Sequence, residues 1–110
     1  LVELFKSYSA QLNLGADGFL GSVKTVTTDY TASGFDQVIL VNNTANIVIT
    51  LPAAADTLNK RFTVKKISNN ANTVTIDPAS GNVDGSATKV ISTYLVSHEL
   101  VSDGANYWLI

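Results

Sequence analysis

The sequence predicts an all-β domain preceded by a short helix. From Val23 onward apolar side chains recur with a period of two, and Val, Ile and Thr dominate the alternating segments. Turn formers interrupt that alternation at short intervals: Ser33-Gly34, Asn42-Asn43, Pro52, Asn69-Asn70, Pro78 to Gly81, Asp84-Gly85 and Asp103-Gly104. The pattern is densest between Gln37 and Lys66, where three strand-like segments follow one another with turns between them.

The helix comes first. Leu1, Leu4, Phe5, Tyr8 and Leu12 lie three or four residues apart, and Glu3, Lys6, Ser7, Ser9 and Gln11 fill the other face, which is the pattern of an amphipathic helix over 1–12. So short a helix needs a partner to persist in water. It either packs on its own domain or forms the last heptads of a coiled coil cut at Leu1, and the missing initiator methionine is consistent with a piece of a longer polypeptide. Residues 1–14 are therefore read as the end of a helical stem. Asn13 and Gly15 supply stop chemistry, and glycines at 15, 18 and 21 mark 15–22 as an adapter. That adapter lacks the Gly-Lys-Ser/Thr ending of a phosphate loop and the prolines of a collagen repeat.

Residues 23–110 form the β domain, with strands expected at 23–30, 36–42, 45–51, 60–68, 72–77, 87–92, 94–102 and 105–110. Short strands at that spacing fit a sandwich, a jelly roll or a small barrel. Alternation points Ile47, Ile49, Leu51, Phe62, Val64, Val74 and Ile76 inward, and Val48, Thr50, Arg61, Thr63 and Lys65 outward. In the last two strands both faces are apolar, since Leu95 and Val101 oppose Tyr94, Val96 and Leu100. Something has to cover the second face.

Composition narrows the function classes. A chain of 110 residues makes one domain, and without cysteine it has no disulfide, thiolate metal site or nucleophilic thiol. Seven basic against nine acidic residues lack the excess of positive charge that nucleic-acid binding needs. No apolar run approaches the roughly 20 residues of a transmembrane helix. Hydrophobic residues make up 45% and charged ones 15%, a low-charge composition that points to faces covered by other copies of the chain.

Two residues stand out as candidate binding positions. His98, the one histidine, shares its strand phase with Val96 and Leu100 and is read as a hydrogen-bonded core or interface residue; a ring of three around a threefold axis is the less ordinary alternative. Arg61, the one arginine, is an outward planar fork, suited to a small anion or a neighbouring chain's carboxylate. The segment from Asp77 to Gly85 has two carboxylates but lacks the ligand spacing of a calcium loop. Asn42-Asn-Thr44 matches a glycosylation sequon, and of Tyr107 and Trp108 one must face inward. With no nucleophile elbow, paired carboxylates, CxxC or HExxH, neither catalysis nor a cofactor or metal is expected.

The wording of the strands carries a resemblance. Val26-Thr-Thr-Asp-Tyr-Thr31, Asp36-Gln-Val-Ile-Leu-Val41, Ile47-Val-Ile-Thr-Leu-Pro52-Ala, Phe62-Thr-Val-Lys-Lys-Ile67, Ala71-Asn-Thr-Val-Thr-Ile-Asp77, Val83-Asp-Gly85 and Leu100-Val-Ser-Asp-Gly104 to Tyr107-Trp108 resemble a module of tailed-bacteriophage fibres, head fibres and tail spikes. With a helical stem ahead, the chain is most similar to the C-terminal knob of the tail needle of short-tailed enterobacterial phages, particularly the Shigella type. The resemblance implies a tumour-necrosis-factor-like jelly roll that forms a homotrimer at the end of a trimeric coiled coil, at the distal tip of the virion. Its partners would be the host envelope or a surface glycan, and other tail proteins through the upstream shaft. A carbohydrate-binding fibre tip, reading polysaccharide through loops at Asn69, Asn70 and Asn82, is the alternative.

Overall fold

In the computed structural model, residues 22–110 are described and form nine strands with one short 3-10 turn. The strands are β1 (Val23–Val26), β2 (Tyr30–Thr31), β3 (Val38–Val41), β4 (Ile47–Leu51), β5 (Arg61–Lys66), β6 (Val74–Pro78), β7 (Lys89–Ile91), β8 (Ser97–Ser102) and β9 (Tyr107–Leu109). The helix expected at 1–12 and the adapter through 21 lie outside the described residues.

The all-β expectation holds, with a connectivity of its own. The chain alternates between two sheets, one ordered β1-β3-β5-β8-β9 and the other β2-β4-β6-β7. β1, β3 and β5 run parallel to one another, as do β2, β4 and β6. The chain thus winds as a coil in which β1–β2, β3–β4 and β5–β6 are successive rungs. β7 then adds antiparallel to β6, while β8 and β9 extend the first sheet antiparallel from β5. A jelly roll is antiparallel throughout, so that expectation is corrected to a wound pair of mixed sheets. Alternation within strands had no means of revealing this, because it reports which face a residue occupies and not the direction of its neighbour.

The strand expected at 23–30 is also corrected. It is two strands in different sheets, joined by a corner at Thr27-Thr28-Asp29. Asp29 turns its carboxylate onto the neighbouring rung, accepting from the Val48 N–H at 2.8 Å. Asn46 repeats the arrangement one rung later, accepting from the Thr73 N–H at 2.9 Å. Each corner thus satisfies a backbone donor that lies outside the ladder.

Register stacks like side chains in columns between the sheets. Ile39 stands beside Val64, Ile47 beside Val74, Val74 in turn beside Ile91, and Ile49 beside Ile76, all of them buried. Phe62 and Tyr107 close the proximal end of the core edge to face, with ring centroids 6.1 Å apart. Burying a side chain such as Phe62 or Leu51 contributes about 1.5–3 kcal/mol. Every residue assigned inward between Ile47 and Ile76 is buried.

Parallel winding gives the domain two unlike ends. The chain enters β1 at the proximal end, where the connections 32–37, 52–60, 79–88 and 103–106 also lie. At the distal end lie the corners 27–29, 42–46 and 67–73, together with the β7–β8 connection 92–96.

Candidate functional site

Arg61 opens β5 on the outer face of its sheet, beside Val101 on β8, and Val101 in turn stands beside Trp108 on β9. Its guanidinium meets Glu99 Oε1 at 3.5 Å, a long contact between side chains that are 63% and 43% exposed. A pair so solvated contributes a fraction of a kcal/mol. Most of the fork's five donors have no partner among the described residues, which leaves capacity for an anion or a carboxylate from another chain.

His98 lies elsewhere. Its register partner is the buried Val64, so it points inward while Arg61 points outward, and the two form no common site. β9 pairs with β8 only from Leu100 to Ser102, which leaves His98 half-buried at an open stretch of the sheet. Desolvation lowers its pKa from the usual 6.5, the positive charge of Lys89 lowers it further, and the Asp84 carboxylate partly opposes both. Lys89 occupies the matching position in the facing sheet, next to Ile76.

The segment 77–85 is spent on structure. Val83 and Ser86 exchange backbone hydrogen bonds of 2.7 and 2.9 Å around Asp84 and Gly85, both with positive φ, as a tight two-residue hairpin turn requires. The Asp84 carboxylate accepts from the Leu109 N–H at 2.9 Å. Among the described residues no cluster of three His, Asp or Glu side chains could hold a metal ion. Asn42, the sequon residue, is exposed in a corner.

Tyr107 and Trp108 divide as alternation requires. Tyr107 is buried, donates to Pro52 O at 2.7 Å and shares a 2.8 Å bond with Thr57 Oγ1. Trp108 faces out, 43% exposed, and its indole N–H donates to Asp103 Oδ2 at 2.8 Å. The second apolar face of the sheet carries Val101, Trp108 and Ile110, together with Val23, Val38 and Leu40. Leu95 does not belong to it: β8 begins at Ser97, and Tyr94 and Leu95 stand in the preceding turn.

The three asparagines read as loop ligands also separate. Asn82 lies at the proximal end, whereas Asn69 and Asn70 lie at the distal end. Asn70 is further committed to a buried cluster that sequence reading missed. Lys66 is fully buried, and its ammonium donates to Ser68 O and Oγ at 2.7 Å and to Asn70 O and Oδ1 at 3.1 and 3.0 Å. Asn43 braces these ligands, accepting from the Ser68 hydroxyl and, through its carbonyl, from Asn70 Nδ2 at 2.7 Å. The cluster holds no carboxylate, so the cation is met by neutral oxygens alone. The signal was available, since Lys66 continues the inward phase of Phe62 and Val64.

Compared with known protein families, curated proteins and solved structures, the chain gives no match.

Proposed function

We propose that this chain is the distal knob of a bacteriophage tail needle or fibre, a homotrimer that meets the host surface and assists envelope penetration and genome delivery. The observation that carries the reading is the polarity of the coil. The described residues begin at one end, and four connections gather at the other. A module at the end of a shaft needs that arrangement, with the attachment behind and the contact face ahead. The strand wording that resembles phage modules supplies the biological setting.

The trimer draws support from the outer face of the first sheet. Trp108 and Ile110 are exposed there, with Val101, Val38 and Leu40 partly so, and a sheet face of this kind is stabilised when another copy covers it. Arg61 and Glu99 lie within it, on the central strand β5 and its neighbour β8, with opposite charges, and each can answer the other across a symmetric contact. Light scattering on the full chain tests this reading: a mass of three chains at micromolar concentration is expected, and a monomer would sink it. Val101→Arg or Trp108→Arg should lower the mass if this face is the contact, and a trimer unaffected by both places the contact elsewhere.

A receptor-recognition tip that binds carbohydrate is the second reading, favoured by the composition of the distal connections.

A further inference from the structure

The two ends of the coil differ in chemistry as well as in connectivity. The proximal connections carry Asp36, Asp56, Lys60, Asp84 and Asp103. In the distal connections Asp29 is the one charged residue, and one of its oxygens is taken by the Val48 N–H. The rest of that end is amide, hydroxyl and small aliphatic groups around one aromatic ring: Asn42-Asn-Thr-Ala-Asn46, Ser68 to Thr73, and Ser92-Thr-Tyr-Leu95.

Beside Asn46, which accepts from the Thr73 N–H, two sets of those polar groups stand apart. Asn43, Ser68 and Asn70 are turned inward around the Lys66 ammonium. Asn42, Thr44, Asn69 and Tyr94 make no side-chain hydrogen bond with any described residue, and all are exposed. The frame beneath them is firm, because the buried ammonium ties the 67–73 corner together and Asn43 ties it to the 42–46 corner. The 92–96 connection is held to the same place, with the Leu95 N–H donating to Lys66 O at 2.8 Å and the Lys66 N–H donating to Val96 O at 3.1 Å.

That hold keeps Leu95 at φ 66°, a left-handed conformation that a branched side chain rarely adopts. Strain of this kind persists only where the surroundings enforce it. Its result is that Tyr94 and Leu95 stand out at 45% and 50% exposure on an otherwise polar surface.

We propose that the distal end is a binding platform for neutral glycans, with Tyr94 as the stacking ring and the amides of Asn42 and Asn69 as hydrogen-bonding partners of sugar hydroxyls. The proposal rests on the distal-tip reading and names its ligand class. An amide offers a donor pair and an acceptor side by side, which matches two adjacent hydroxyls. A phenol ring offers an apolar face to the C–H face of a pyranose while its hydroxyl stays in water. Without a cationic side chain in these connections, nothing there rewards a uronic or sialic carboxylate. A protein partner is less well matched, because Tyr94 and Leu95 give only a small apolar centre for an interface of standard size.

The test is binding of the full 110-residue chain to a printed array of glucose-, galactose-, mannose- and N-acetylglucosamine-based neutral oligosaccharides, beside acidic ones bearing uronic or sialic acid. Binding to at least one neutral set is expected, changing less than twofold between 50 and 500 mM salt, as follows from an uncharged contact. Tyr94→Ala should weaken it tenfold or more and Asn69→Ala severalfold, whereas Tyr94→Phe should retain the stacking and most of the affinity. Asp56→Asn, at the proximal end, should leave it unchanged. Melting temperatures and masses on the same samples separate lost binding from lost folding. Absence of neutral binding, a preference for acidic sugars, capture of an envelope protein in place of glycan, or full affinity in both alanine variants overturns the proposal. A trimer that binds no glycan overturns the platform alone, and a monomer that binds one overturns the trimer alone.

Discussion

Lys66 is the register partner of Val41, and both side chains are fully buried in the same inward column of the first sheet. The column begins at Val26, so one position is aliphatic in two rungs and cationic in the third. An ammonium can replace the third aliphatic side chain because the last corner folds four oxygens over it. Burying a charge without such ligands would cost several kcal/mol.

Replacing Lys66 therefore does more than empty a volume. Lys66→Ala leaves a cavity and removes the donor from Ser68 Oγ and Asn70 Oδ1, with an expected loss of roughly 3 kcal/mol. Lys66→Met refills most of the volume and leaves only the oxygens unanswered, at about 1–2 kcal/mol. Urea unfolding at fixed chain concentration checks both values, since assembly makes stability depend on concentration. An alanine variant within 0.5 kcal/mol of the parent would mean that the cluster is incidental.

His98 makes stability depend on pH in a defined direction. Its pKa in the folded chain lies below the usual 6.5 because desolvation and Lys89 disfavour the imidazolium. The unfolded chain therefore binds the proton more readily. Stability is fully present above about pH 6.5 and is lost as pH falls from there through the lower folded value. The difference between the unfolding curves of the parent and His98→Gln should show this slope. Lys89→Gln should move the imidazole titration, followed by NMR, upward towards the usual value. A folded-state titration at or above 6.5 in the parent would contradict the sign.

The inward set was legible because alternation reports faces directly. Ile47, Ile49, Leu51, Phe62 and Val64 fall where period two places them. The winding was not legible, since a parallel rung and an antiparallel hairpin draw on the same β-branched alphabet and differ in partner. The split at Thr27-Thr28-Asp29 was hidden for a related reason. Threonine suits strands, and the corner is marked only by where the Asp29 side chain goes. Arg61 and His98 were read on the correct faces, but two lone residue types gave no information about distance. Lys66 was passed over because a lysine is ordinarily assigned to solvent, even when its phase says otherwise.

Gly81 and Gly85 separate backbone strain from collision. Both have positive φ, 92° and 81°, a region in which an L-residue pays roughly 1–2 kcal/mol. They differ in surroundings. A Cβ on Gly81 would stand 2.6 Å from Ala105 O and 3.2 Å from Ala54 Cβ, whereas one on Gly85 would meet nothing within 4 Å. The oxygen belongs to backbone beside Asn106, whose side chain accepts from the Asn82 N–H at 2.9 Å, so it cannot retreat without loosening the turn. Gly85→Ala should then cost about 1–2 kcal/mol, the strain alone. Gly81→Ala should add an overpacking cost of about 1–3 kcal/mol. Thermal unfolding of the two variants side by side measures the difference. Equal melting temperatures would show that the 103–106 turn yields to the added methyl group.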